Sequence, residues 1–220
     1  SVQRLETGDF THPVWREELK KRLIAEGNSL YRLRDEYVKE ESRKFPGEGT
    51  HFVVSGEISS IYKKNGKTRK VHNVILLPSL EAADAMAQHL EKIGNIHSDG
   101  RPILGLDSHD LLEMMLDVCP EGILIPAHIW TPHFSVLGAK SGFDSVEECF
   151  EELTPYVHAL ETGLSSDPAM NWRISKLDRY PIQMHIPRLS WDVRRICWIL
   201  TVPMRDFIRQ FRLVRDWKEQ

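Results

Sequence analysis

The chain has 220 residues, 41% of them hydrophobic and 28% charged, with a formal net charge of -3, enough apolar material for one large globular core or two small ones and no run near the roughly 18 apolar residues of a membrane span. The acidic balance argues against a general nucleic-acid-binding coat while leaving room for a local basic groove. Three cysteines, Cys119, Cys149 and Cys197, lack CxxC spacing and read as buried thiols, so with no charged-then-apolar leader before Thr7 the chain reads as cytoplasmic, with no membrane partner.

Thr7-Gly8-Asp9-Phe10-Thr11-His12-Pro13 comes first: an acid and an imidazole three residues apart in a loop closed by proline. Such oxygen and nitrogen donors suit a divalent metal, and Gly8 permits the tight turn that aims both side chains at one point. The alternative is that Asp9 starts a helix with His12 as a polar neighbour. Val14 to Glu26 has helical apolar spacing and stops at Gly27-Asn28. His51 to Ile58 and Val71 to Leu77 read as strands, joined through the tight-turn signature Lys64-Asn65-Gly66-Lys67. Leu80 to Ile93 reads as a helix. Ser108 is expected to cap a helix from Asp110 to Asp117, Gly122 to Pro126 reads as a buried strand, Asp144 to Leu153 as a helix and Val157 to Glu161 as a strand. Strands alternating with helices predict an α/β fold with a parallel sheet or barrel.

Gly66-Lys67-Thr68 mimics the end of a phosphate-binding loop, but Ile61 stands where the first glycine of that motif belongs, which disfavours an NTPase. Glu57 lies at the end of the first of these strands, His72 opens the next and His128 follows the buried strand. In α/β barrels, strand ends converge on a shared mouth, where residues distant in sequence meet. One histidine after an apolar strand is more often structural than a ligand; several such placements together favour a site.

Seven long sequence words carry a family resemblance: Thr7 to Pro13; Ser55-Gly56-Glu57-Ile58-Ser59; Ile93-Gly94-Asn95-Ile96; Ser98 to Asp107; Pro126 to Pro132; Ser141 to Ser145; and Glu161 to Arg173. Between about Thr7 and Asp178 the chain resembles the endonuclease Q branch of the PHP (polymerase and histidinol phosphatase) superfamily. The resemblance implies a distorted (β/α)7 TIM-like barrel with a multinuclear metal cluster, and hydrolysis of a DNA phosphodiester 5′ to deaminated bases such as uracil or hypoxanthine, or to abasic sites. By that resemblance Asp9, His12, Glu57, His72 and His128 are metal ligands, Glu57 bridging two ions, and the cofactors are zinc, manganese or magnesium. Clustered cations neutralise the charge of a phosphodiester and acidify water near neutral pH. Asp9 is either a ligand or the base toward the attacking water, so Asp9 and Glu57 are the catalytic candidates.

Arg101 lies in a Gly/Pro-punctuated loop with Asp99 and Asp107, where it either contacts a backbone phosphate or pairs with those acids. Trp130 and Phe134 either stack on an exposed base or pack under the site. Glu161 is a candidate for supporting a ligand from behind, and His51, His89, His97, His109 and His158 read as solvent-exposed or structural. The partner expected is damaged or deaminated DNA. Other readings are a PHP phosphoesterase acting on a small phosphate monoester, and an inactive DNA-binding module.

Two departures from the family pattern bear on activity. Nothing upstream of Thr7 supplies the His-x-His pair of the family's first strand, and its closing Ser-Asp-Ala-His-Ser-Pro motif is missing after Asp178. Composition changes there too: up to Ile182 the chain has 21 basic and 28 acidic residues, a balance of -7, whereas Gln183 to Gln220 has 8 basic and 4 acidic, a balance of +4. Reading any codons for Ile182 onward from each third base allows Ser, then Asp, must give Ala, and allows His, Ser and Pro. The expectation is a partial PHP barrel over residues 1–179 and an out-of-frame tail over 180–220, in a fragment with impaired activity. Sequencing the gene across Asp178 to Gln183 decides it, an intact frame being the result against it.

Overall fold

The structure is a computed structural model describing residues 4–38, 50–98, 100–162 and 182–184. It is a mixed α/β fold. Strand β1 (Arg4–Glu6) leads into helix α1 (Pro13–Arg22), and β2 (Leu23–Gly27) and β3 (Leu30–Leu33) form a hairpin. The long strands β4 (His51–Lys64) and β5 (Lys67–Leu77) follow, then α2 (Leu80–Glu91), β6 (Ile103–Leu104), α3 (Ser108–Val118), β7 (Ile123–Pro126), α4 (Val146–Phe150), β8 (Ala159–Glu161) and β9 (Ile182–Met184).

The main sheet runs β2-β3-β4-β5-β7, and every neighbouring pair along that path is antiparallel; β1 and β6 join β4 in parallel. The described residues therefore form an open, largely antiparallel sheet, not the parallel sheet expected, and they do not close into a barrel. Two of these four pairs, β2–β3 and β4–β5, are fixed by short hairpins, since two-residue turns can only join antiparallel strands. At the second, Asn65 and Gly66 have φ of 53° and 73°, the left-handed conformation that such turns require.

Several boundaries differ from the sequence reading. The first helix stops at Arg22, because Leu23–Gly27 leaves it to pair with Leu30–Leu33 through a turn in which Asn28 and Ser29 have φ of 53° and 61°; pairing on a sheet edge overrides helical apolar spacing. His72 lies in the middle of β5, not at its start, because the strand runs back to Lys67. Asp107, not Ser108, caps α3, its carboxylate accepting from the His109 N–H at 3.0 Å. The predicted helix from Asp144 to Leu153 is only Val146–Phe150, capped by Ser145 and continued by a tighter turn over Glu151–Tyr156. Of the tail expected over residues 180–220, only Ile182–Met184 is described, and its backbone pairs in parallel with β8; Cys197 and the rest of it lie outside the described residues, as does Asp99.

The core lies between the sheet and α2, α3 and α4. Ile58, Val71 and Ile75 meet Met86, Leu90, Leu111, Leu112, Met115 and Phe150, all essentially buried. Cys119 and Cys149 are buried free thiols, and burial pushes Cys149 up to about 12. No described helix is long and apolar enough to cross a membrane.

Candidate metal centre

Strand alternation decides which side chains meet. The β4–β5 register is unbroken from Val54↔Leu77 to Lys64↔Lys67, placing Glu57 opposite Val74 and Ser59 opposite His72. Opposed residues share a face, and so do residues two apart on one strand. Glu57, Ser59 and His72 therefore stand on the same face, and Ile58, Asn73 and Ile75 turn to the core behind it. His128 arrives from the loop after β7, which is anchored by the Ala127 N–H on the His72 carbonyl at 2.9 Å.

Three donor atoms converge there. Glu57 Oε1 lies 3.0 Å from His72 Nδ1 and 3.7 Å from His128 Nε2, and the two imidazole nitrogens are 3.1 Å apart. Ligand atoms around one zinc or magnesium ion lie about 3.0–3.6 Å from each other, so the spacing fits. Glu57 is buried and the two histidines partly so.

The protonation pattern points the same way. Thr131 Oγ1 has a single hydrogen and donates it to the carbonyls of His133, at 2.8 Å, or His128, at 3.2 Å. With that hydrogen on a carbonyl, the oxygen accepts from His128 Nδ1, 2.8 Å away. In that tautomer the His128 proton is on Nδ1 and the Nε2 lone pair faces Glu57, the form a metal requires. Arg101, which can only donate, brings Nη1 to within 2.7 Å of His72 Nδ1 while also pairing with Glu57 Oε1. With both imidazoles as acceptors, lone pairs of Glu57, His72 and His128 converge beside one guanidinium, the arrangement a cation requires. Burial raises Glu57, but with the imidazoles turned instead to donate to it, those hydrogen bonds and the charge of Arg101 outweigh burial and hold its carboxyl down at about 2. Burial lowers His72 against the pull of Glu57, so the imidazole is neutral near pH 7.

The other predicted residues divide. Thr7 to His12 lies against β4: the Thr7 N–H donates to Val53 O, the Phe10 N–H to Ser55 O and the Gly8 N–H to Ser55 Oγ. A Cβ on Gly56 would lie 2.7 Å from Phe10 Cδ1, so glycine at that position lets the loop approach the strand beside Glu57. Asp9 has φ of 41°, and Trp15 Nε1 and Arg16 Nη1 hold the loop's carbonyls. His12 caps α1, its Nδ1 accepting from the Trp15 N–H at 3.4 Å. Neither Asp9 nor His12 belongs to the converging group of Glu57, His72 and His128. Arg101 pairs with Glu57 across the site, and Asp107 of its loop pairs with Lys64. Phe134 stacks at 4.7 Å on His72, whereas Trp130 packs against the core. Glu161 accepts the His128 backbone N–H at 3.0 Å and so helps position the loop that carries the imidazole.

Thr131 and Glu6 escaped the sequence reading. Thr131 carries no motif signal beyond following His128 by three residues. Glu6 is fully buried, and burial first, then the charge of Glu161, pushes its carboxyl up to about 8; nothing in the sequence distinguishes it from a surface glutamate. Replacing Thr131 with Val removes the acceptor for His128 Nδ1–H. Zinc affinity measured by calorimetry is expected to fall about 10-fold with the melting temperature nearly unchanged; an unaltered affinity would show that Thr131 does not set the ring.

No protein-family profile matches the sequence. The chain is 32% identical over 114 residues to the uncharacterized protein YqxK of Bacillus subtilis, covering 50% of this chain and 27% of that one. It is 29% identical over 141 residues to the uncharacterized protein MJ0043 of Methanocaldococcus jannaschii, covering 64% of this chain and 14% of that one. Among solved structures it is similar to the lesion-specific endonuclease PfuEndoQ from Pyrococcus furiosus, with a TM-score of 0.64, 23% identity and coverage of 83% of this chain and 39% of that chain. A second, endonuclease Q in complex with a 27-mer duplex bearing an abasic lesion at its active site, matches with a TM-score of 0.63 and 23% identity over 84% of this chain and 39% of that one. The chain thus shares the fold of part of endonuclease Q and spans about a quarter or less of the curated relatives' length.

Proposed function

We propose that this chain carries part of the catalytic centre of a divalent-metal-dependent phosphodiester hydrolase acting on damaged DNA, and that its open sheet is an incomplete PHP barrel. The observation that carries the reading is the convergence of one carboxylate oxygen and two imidazole nitrogens, from Glu57, His72 and His128, within the reach of a single cation. The fold shared with endonuclease Q supplies the substrate class, since one such enzyme is described with an abasic lesion at its active site.

Glu57, His72 and His128 would hold the ion, and Asp9 and His12, on a loop packed over Ser55 and Gly56, would extend the set. A divalent ion supplies Lewis-acid stabilisation of the phosphodiester's charge and acidifies water. The chain's own groups do the rest. Thr131 keeps the His128 proton on Nδ1, Glu161 fixes the His128 backbone, and Asp9 is positioned as ligand or base. Arg101 gives up its contact with Glu57 and His72 and turns to a backbone phosphate, where a planar guanidinium suits two phosphate oxygens. Trp130 and Phe134 are proposed to meet an extruded base.

The test is strand cleavage of an end-labelled duplex carrying uracil, hypoxanthine or an abasic site, with zinc, manganese or magnesium and with EDTA. Weak, metal-dependent nicking 5′ to the lesion is expected, because residues 1–179 are read as a partial barrel. Hydrolysis of nitrophenyl phosphate with no nicking would favour the phosphomonoesterase reading, and DNA binding without hydrolysis the inactive module.

A further inference from the structure

The face of the β4–β5 hairpin that carries Glu57 and His72 continues past them toward the turn. By alternation and register, Ile61 and Lys63 on β4 and Lys70 and Thr68 on β5 follow on that same face, Ile61 opposite Lys70 and Lys63 opposite Thr68. The opposite face carries Tyr62, Lys64, Lys67 and Arg69. Two of its cations are ion-paired, Lys64 with Asp107 at 3.2 Å and Glu151 at 2.6 Å and Arg69 with Glu148 at 3.1 Å; Lys67, beside the turn, is exposed. On the site face, neither Lys63 nor Lys70 has an ion pair among the described residues, and Lys63 is exposed. Apart from Lys67, the hairpin thus has a charge-paired back and a basic front without ion pairs among the described residues.

That front connects to the metal centre without a break. The His128 and His72 rings lie 5.1 Å apart, Phe134 follows at 4.7 Å from His72, and Lys70 Nζ lies 5.2 Å from the Phe134 ring. Lys63 stands diagonal to Lys70, about 7–8 Å away. Phe134 is held in place by its carbonyl, which accepts the His72 N–H, and by its N–H on Ser141 Oγ. That diagonal separation of the two cations, about 7–8 Å, is close in size to the separation of adjacent phosphates along one nucleic-acid strand. A line of ring, cation, cation leading away from a phosphodiester site matches a polymer with a base to stack and a phosphate at each step.

We propose that the flanking strand of the DNA substrate leaves the metal centre along this face, with Phe134 under a base and Lys70 and Lys63 on successive phosphates. The inference rests on the DNA reading above, and names the surface that holds the strand beyond the reacting bond. Binding of an end-labelled single-stranded oligonucleotide to the full chain is measured by fluorescence anisotropy, in EDTA, across a series of salt concentrations. The Lys63→Ala/Lys70→Ala variant is expected to bind about 10-fold more weakly at low salt and to reduce the slope of log affinity against log salt by about 1.4, two phosphate contacts on a single strand. A Lys21→Ala/Lys92→Ala variant, equal in charge but away from the hairpin, is expected to behave as the unmodified chain. The single Lys63→Ala change, at an exposed position, should lower the slope by about half as much, which guards against misfolding of the double variant. Unmodified binding in the hairpin variants, an equal loss in the control, or no DNA binding by the unmodified chain overturns the inference. EDTA separates the two readings: Lys63- and Lys70-dependent binding without nicking in any metal sinks the hydrolase alone, and nicking with unchanged binding in the variants sinks this surface alone.

Discussion

Replacing Glu57 with Gln is expected to lower zinc or manganese affinity at least about 100-fold and to abolish any metal-dependent nicking. Loss of groups that merely support a ligand already costs 10–100-fold, and Glu57 is the anionic member of the group itself. Gln keeps the shape and offers one oxygen, but it removes the charge that balances Arg101 and attracts the cation. The carboxyl's position at about 2 means that it is ionised at any working pH, so the effect should not depend on pH between 5 and 8. Calorimetric metal titration alongside thermal melting separates site from fold. An affinity within a few-fold of the unmodified chain, in a folded variant, would remove Glu57 from the site.

Replacing Glu6 with Gln is expected to flatten the pH dependence of stability between about 5 and 8. The Glu6 carboxyl titrates at about 8 in the folded chain against an ordinary 4.5, so between those values the native state binds a proton that the unfolded state has lost. Stability therefore falls as pH rises through that window: the contribution is fully present below about 4.5 and gone above about 8, a loss on the order of several kcal/mol. Glu57 has the opposite sign, its contribution being present above 4.5 and lost as pH falls through about 2. Gln at position 6 is neutral throughout and suits a buried position beside the charge of Glu161. Urea unfolding at pH 5 and pH 8 should give a large difference for the unmodified chain and a small one for the variant. Equal differences would mean that Glu6 is ionised in the folded state.

The two results together bear on how the site is assembled. Glu161 and Glu57 both raise the cost of ionising Glu6, and the chain keeps Glu6 protonated while Glu57 takes the contacts with Arg101 and the histidines. This places the negative charge beside the imidazole lone pairs.

Much of this was legible in the residues. The Asn65-Gly66 turn, the apolar strand ending at Pro126 and the helix from Leu80 depend on local backbone preference and on short-range spacing, which a sequence carries openly. Glu57, His72 and His128 could be selected as a group because each adjoins a strand signal. The early end of α1 was not legible, since Leu23–Gly27 has helical apolar spacing and becomes a strand only through its partner Leu30–Leu33. The direction of the sheet was missed for a related reason: alternating elements suggest crossovers, but two hairpin turns fix two of the pairs as antiparallel, and β3–β4 and β5–β7 are antiparallel across longer connections. Asp9 and His12 drew attention by their closeness in sequence, yet the donor atoms that converge come from residues 57, 72 and 128.

What the sequence by itself determined is the donor chemistry and the local geometry that presents it: a carboxylate, imidazoles, a two-residue turn and strands that alternate their faces. What only the tertiary structure decided is which of those groups share one cation position, because that depends on the 54-to-77 register of β4 and β5 and on the loop that carries His128 back over β5. It also decided the charge state of Glu6 and the role of Arg101. Those follow from burial and from neighbours more than 40 positions away in the chain, at Glu161 and Glu57, and a local pattern of residues has no means of recording such distances.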